Sequence, residues 1–194
     1  PHLIISPPAV LDRLVQLGFM GGHRPFVRSR GSVLLVKKGN PESIRGIADL
    51  ARPGVRLFIS NPKTETVSYA GYAETLSRLA AARGIHLSLG GDDGVPQMVF
   101  GEAIHHREAP QAVAAGLADA AVVYYHLALR YVRVFPDLFE MMPLAEADDP
   151  ANLRATIHIG LADDSGEWGA RAIDYLSGAA CAAVYARHGL DPAP

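Results

Sequence analysis

The stretch VLLVKKGNPESIRGIADLARPGVRLFISNP, Val33 to Pro62, decides the fold class. Val33 to Val36 is a β-branched and apolar run, and Gly39, Asn40 and Pro41 turn the chain after it. A short helix follows around Gly46 to Ala51, stopped by Pro53 and Gly54, and Val55 to Ser60 reads as the next strand. Downstream, NPKTET is a turn carrying hydroxyl caps, and the longest helical pattern runs from about Val67 to Arg83, ending at Gly84. After a Gly- and Asp-rich loop, Gly90 to Gly94, come a helix from about Pro110 to Ala115 and the strand DAAVVYY. Upstream, HLIIS enters a helix with Val10, Leu11, Leu14, Val15 and Leu17 at helical spacing. Strands and helices alternating at this rhythm predict an α/β protein whose parallel sheets are covered on both faces.

The last third changes character. RVFPDLFEMMPL is short and irregular, ATIHIGLA is a strand with alternating apolar positions, and two helices close the chain. The first begins at a capping box, Asp164 with Glu167, and the second ends at Arg187, His188 and Gly189, before a tail at Asp191 to Pro194.

Composition narrows the function. Apolar residues make up 49% of 194 residues, and the formal net charge is −2. The first figure supports one or two compact cores, and the second offers no broad basic face for nucleic acid or anionic lipid. The single cysteine, Cys181, rules out an intramolecular disulfide and a cysteine zinc cage, yet suits either cytoplasm or periplasm. No apolar run approaches the ~20 residues of a membrane-spanning helix. Phosphate loops, nucleophile elbows, HExxH helices and EF-hand patterns are all missing, which lowers the case for the common enzymes.

In AIHHREAP, Ala103 to Pro110, the histidines and Glu108 raise a metal reading. Adjacent residues of an extended segment point to opposite sides, while zinc needs three or four converging ligands, so no metal site is expected. His105 reads as a partly exposed polar residue before a helix. Pro110 suits the first position of a helix, which puts Glu108 or Ala109 near the N-cap. The free first-turn amides and Arg107 would then suit an anion. The same chemistry recurs where Thr64, Thr66 and Ser68, with Tyr69 behind them, lead the long helix; ordinary N-capping is the alternative there. Tyr124 is a phenol at the C-terminal end of a strand, where α/β sheets bind ligands, or else a core tyrosine.

These residues resemble the type II periplasmic solute-binding proteins of ABC importers, in particular the molybdate- and tungstate-binding branch. The resemblance is carried by SPPAVLDRLVQLGF, by the opening stretch, by AVAAGLADAAVVYYHLA and by YLSGAACAAVYARHGLDPAP, in the family's order. It implies a two-lobe α/β fold, with residues 1–31 and 126–194 in a first lobe and 32–125 in a second. The lobes would be joined by crossing strands near Arg28 to Val36 and Tyr125 to Val134. It also implies that the family's first strand, its ligand loop and the helices after it are missing from this sequence, leaving the first lobe incomplete. Ligand contacts would fall at Ser68 and Tyr69, at His106 and Arg107, at Tyr124 and, most weakly, at Ser6. The HHRE segment departs from a cage of neutral donors, which bears on which anion is bound.

The function so implied is capture of a small oxyanion between two lobes and delivery to a membrane ABC permease. The protein would be a periplasmic or extracytoplasmic monomer, without cofactor, catalysis or nucleic-acid partner. A second reading is the effector-sensing domain of a transcription regulator of the same fold. A third is an enzyme using His106, Glu108 and Tyr124 as acid/base groups with Arg107 as electrophile.

Overall fold

A computed structural model describes residues 2–89, 96–146, 148–163 and 166–193. In chain order the elements are β1 (Leu3–Ser6), α1 (Pro8–Gln16), β2 (His23–Ser29), β3 (Ser32–Lys37), α2 (Ile47–Leu50), β4 (Arg56–Ile59), α3 (Thr66–Ala82) and β5 (Gln97–Phe100). They continue with α4 (His105–Ala114), β6 (Ala120–Tyr124), α5 (Tyr125–Val134), β7 (Phe139–Pro143), β8 (Thr156–Leu161), α6 (Gly166–Leu176), α7 (Ala179–Arg187) and β9 (Leu190–Pro192). The chain divides into two compact units, residues 1–30 with 154–194, and 31–153.

The first unit holds an antiparallel sheet in the order β1-β8-β2-β9, in which Ser6 stands opposite His158. Leu11 of α1, Met20, Val27, Ile159 and Ile173 of α6 are buried in this unit. Gly160 is the close-approach point: a Cβ there would meet Met20 Cε at 2.4 Å, the Gly22 carbonyl at 2.6 Å and His23 Cβ at 3.0 Å. Beside it runs a polar chain, with Asp12 Oδ1 3.0 Å from His23 Nε2 and His23 Nδ1 2.8 Å from His158 Nδ1.

The second unit is built on a five-stranded mixed sheet, β5-β4-β6-β3-β7. β4 runs parallel to β5 and β6, while β3 is antiparallel to both β6 and β7. Alternation along the strands sends side chains to two faces. Leu34, Val36, Leu57 and Ile59 pack with Tyr72, Leu76 and Leu79 of α3 on one face. Val33, Leu35 and Phe58 pack with Ala109, Ala112 and Val113 of α4 and Ala128 of α5 on the other. The chain thus leaves β4 over one face and β5 over the other, and such a reversal, at the C-terminal ends of parallel strands, is where open α/β sheets bind ligands. At the start of β3, Asn152 accepts the Ser32 amide at 2.8 Å and donates to its carbonyl at 3.0 Å. Asn152 lies so close that a Cβ on Gly31, whose φ is +90°, would sit 2.7 Å from its amide group.

Several expectations change. The sheets are antiparallel and mixed rather than parallel throughout, because β3 and β7 return along β6. Tyr125 to Val134 is the helix α5, not a crossing strand, and RVFPDLFEMMPL contains β7, an edge strand whose hydrogen-bond partner is β3. α5 and β7 pack on the second sheet, so the second unit runs on to Leu153 instead of ending at 125. β2 was not anticipated as a full strand, and part of the tail forms β9. The Gly90 to Gly94 loop and the Asp164 cap lie outside the described residues.

The largest local change is in α4, which begins at His105 with Ile104 as N-cap, leaving Pro110 inside the helix. Proline lacks the N–H that would bond the carbonyl four residues back, and its ring crowds that carbonyl. Here that carbonyl belongs to His106, and the Tyr131 hydroxyl of α5 donates to it instead. A tertiary partner therefore satisfies the group that proline leaves open, and the helix continues past it.

Candidate functional site

Three helices start at the C-terminal ends of the parallel strands: α3 after β4, α4 after β5 and α5 after β6. The β4–α3 turn is shaped by Asn61, whose Oδ1 accepts the Lys63 amide at 2.9 Å and whose Nδ2 donates to the Gly101 carbonyl at 2.8 Å. Glu65 is the N-cap of α3, but its side chain does not cap it. Among the described residues the amides of Thr66, Val67 and Ser68 have no hydrogen-bond partner, and neither does the Ser68 hydroxyl. A 17-residue helix thus presents free first-turn donors and the positive end of its dipole beside a half-buried serine.

Tyr124 comes to the next turn of α3 from β6. Ser68 and Gly71 are three apart and so share a face of α3. The Tyr124 hydroxyl lies 3.5 Å from where a Gly71 Cβ would be. No partner for that hydroxyl exists among the described residues, and burial pushes its pKa up, so it is a protonated donor at neutral pH. The Tyr124 ring packs on Tyr72 at 4.7 Å between centroids and on His126 at 5.8 Å, nearly parallel. His126, its imidazole pKa lowered by burial, has a buried Nδ1 with no partner among the described residues.

The α4 start is different, because its anion is already built in. The Glu108 carboxylate accepts the amides of Glu102 at 2.6 Å, Ala103 at 3.0 Å and Ile104 at 3.0 Å. The Ile104 amide, then those of Ala103 and Glu102, hold the Glu108 carboxyl below its usual range against a smaller opposing effect of burial. Gly101 makes room for it, since a Cβ there would lie 2.4 Å from Glu108 Oε2. The next amide, His105, donates to Glu65 Oε2 at 2.9 Å. The expected anion-facing lip of amides is therefore largely filled by the protein's own carboxylates.

The remaining expected residues separate. His105 is buried, not partly exposed, and its Nε2 lies 3.1 Å from the Tyr72 hydroxyl. His106 is exposed, edge-on to His105 at 5.9 Å. Arg107 is exposed and turns with Gln111 and Ala114 toward α5, lining a groove of about 450 Å³ with Tyr131, Phe135 and Leu138. Tyr69 has no spare donor: its hydroxyl donates to the Leu89 carbonyl at 3.1 Å and its amide to the Glu65 carbonyl at 2.9 Å. Ser6 belongs to the first unit. Ser60, fully buried at the end of β4 with an unpartnered hydroxyl, was missed, although a serine closing an apolar strand at that end is a readable signal. Among the described residues no three His, Cys, Asp or Glu side chains converge as metal ligands, and no helix is long and apolar enough to cross a membrane.

Comparison with known proteins gives this site a context. The family of bacterial extracellular solute-binding proteins matches residues 2–191. The molybdate-binding protein ModA of Mycobacterium tuberculosis is 29% identical over 121 residues, which are 62% of this chain and 40% of that protein. The match therefore spans about two-fifths of the length of that curated relative. Among solved structures, Peb3 from Campylobacter jejuni superposes with a TM-score of 0.69 at 16% identity, over 98% of this chain and 79% of that one. The periplasmic molybdate-binding protein of Azotobacter vinelandii gives 0.67 at 14% identity, over 97% and 77%. At such identities these two speak for the shared fold.

Proposed function

Because the chain belongs to the bacterial extracellular solute-binding proteins, we propose that it captures a small oxyanion of the molybdate or tungstate type and delivers it to a membrane ABC permease from the periplasm. The observation that carries this reading is that α3 opens on the free Thr66, Val67 and Ser68 amides and the Ser68 hydroxyl, with the unpartnered Tyr124 hydroxyl against Gly71 one turn further along. All are neutral donors, and none is an acceptor only. Such a set suits an anion that keeps its charge and has no proton of its own to give. His106 and Arg107 stand outside this inner set, as residues of the rim. No covalent step is called for, and binding without turnover follows.

Isothermal titration with sodium molybdate, tungstate, sulfate and phosphate tests the reading. Saturable binding of molybdate or tungstate at one site per chain, with a raised melting temperature and no product, is the expected result. No binding of any of the four anions would sink it.

A further inference from the structure

Behind the donors of the α3 start lies a buried row of side chains that connects three elements. Glu65 Oε1, at the N-cap of α3, is 3.6 Å from His105 Nδ1 at the first position of α4. His105 Nε2 is 3.1 Å from the Tyr72 hydroxyl, with the two rings edge to face at 5.0 Å. Tyr72, fully buried in the second turn of α3, then carries the Tyr124 ring at 4.7 Å. Only 3% of His105 is exposed. A hydroxyl as deep as that of Tyr72 needs a partner, since an unpaired buried donor carries its full desolvation cost. His105 supplies a partner through Nε2, beside the Tyr124 backbone that also meets this hydroxyl, while its other ring nitrogen, buried without a hydrogen-bond partner, faces the Glu65 carboxylate at 3.6 Å.

We infer that His105 is the positioning residue of the donor site: through Tyr72 it sets the place of the Tyr124 ring, and through Glu65 it ties the start of α4 to the start of α3. Its consequence for binding rests on the oxyanion reading above, while its effect on Tyr124 does not. Burial lowers the His105 pKa, with Glu65 opposing, and raises that of Tyr72, so the ring–hydroxyl bond joins two neutral groups at neutral pH. His105 touches no ligand position itself, and its role is felt at Tyr124.

The chemistry of the two ring nitrogens supplies the test. A glutamine amide reaches the position of Nε2 and keeps the Tyr72 contact, whereas an asparagine amide reaches only the position of Nδ1. His105→Gln, His105→Asn and Tyr72→Phe are compared with the wild type by aromatic NMR, with the Tyr124 ring signals assigned from Tyr124→Phe, and by calorimetry with sodium molybdate. Asparagine at 105 and phenylalanine at 72 are expected to shift the Tyr124 ring signals and to weaken molybdate binding about tenfold, the equivalent of one hydrogen bond. Glutamine at 105 should keep both near wild type. Tyr72→Phe preserves the packed ring, so it reports on the hydrogen bond even if the asparagine variant does not fold. Unmoved Tyr124 signals in Tyr72→Phe, or equal displacement of them by Gln and Asn, would overturn the inference. Absence of molybdate binding by the wild type would strike the oxyanion reading alone, because the NMR comparison still decides the role of His105.

Discussion

His23 and His158 meet Nδ1 to Nδ1 at 2.8 Å, an approach that neutral rings can make only as donor and acceptor. Asp12, an acceptor, fixes the proton of His23 on Nε2, so His23 Nδ1 accepts and His158 Nδ1 donates. Protonating the pair would leave two N–H groups face to face. Burial and then the neighbouring His23 lower the His158 pKa, while Asp12 opposes them. The groups facing His158 are Asp12 from α1 and His23 from β2, with uncharged Ser6 opposite on β1. A histidine with a lowered folded pKa contributes stability that is present above its unfolded value and lost as pH falls through the folded one. The urea midpoint should therefore drop between neutral pH and the range below ~6.5, and His158→Gln should flatten that drop. An unchanged pH profile in the variant would show that the pair carries no such linkage.

Glu108 titrates in a different window with a similar sense. Its folded pKa lies below the usual carboxylate range, so its stabilisation is present above that range and lost as pH falls through the folded value. Glu108→Gln should cost about 1–2 kcal/mol at pH 7, the scale of a strong helix cap, and less in acid. Gly101→Ala should push the carboxylate off its amides and give a loss of the same kind. Denaturation by urea at pH 7 and pH 3 measures both.

Arg107 and Tyr124 should part company in binding. The Tyr124 hydroxyl lies against Gly71 of α3 without a partner, and Tyr124→Phe is expected to lower molybdate affinity by roughly 0.5–1.5 kcal/mol at nearly constant apo melting temperature. Arg107 lines the α4–α5 groove, and Arg107→Ala should change affinity by less than about 1 kcal/mol. Calorimetry on both variants checks this; a larger loss in the arginine variant would place its guanidinium on the anion.

In the first unit, Gly160→Ala should destabilise by about 1–3 kcal/mol, the cost of overpacking. Met20 can swing away from the new methyl, but the Gly22 carbonyl at 2.6 Å is backbone. A thermal melt of the variant gives the answer, and an unchanged transition would mean that β2 yields freely.

What could be read from residues alone follows the range of the forces involved. β3, α2, β4 and α3 were legible because apolar runs and their Gly and Pro punctuation act locally. Tyr124 was legible as a strand-end phenol, and its unpartnered hydroxyl fits that position. β7 was not, since an edge strand after Phe135 and Pro136 becomes a strand only by pairing with β3. The α4 start was misplaced because a rule about proline assumed no rescue, and the rescuing hydroxyl comes from Tyr131, beyond an intervening strand. His105 looked ordinary because Tyr72, the side chain its Nε2 meets, is 33 residues away. Such contacts are written by topology, not by neighbours in the chain.

The bond from Tyr131 to the His106 carbonyl has a consequence for how this part of the molecule opens. A helix interrupted by proline would ordinarily fray from the break toward its nearer end, exchanging its first-turn amides independently of the rest. Here the break is bridged by the neighbouring helix, so α4 cannot loosen at Pro110 without releasing α5. Amide protons of Ala112, Val113 and Ala128, on the same buried face, should then exchange with deuterium as one cooperative group. Tyr131→Phe should split that group in two, with α4 exchanging first.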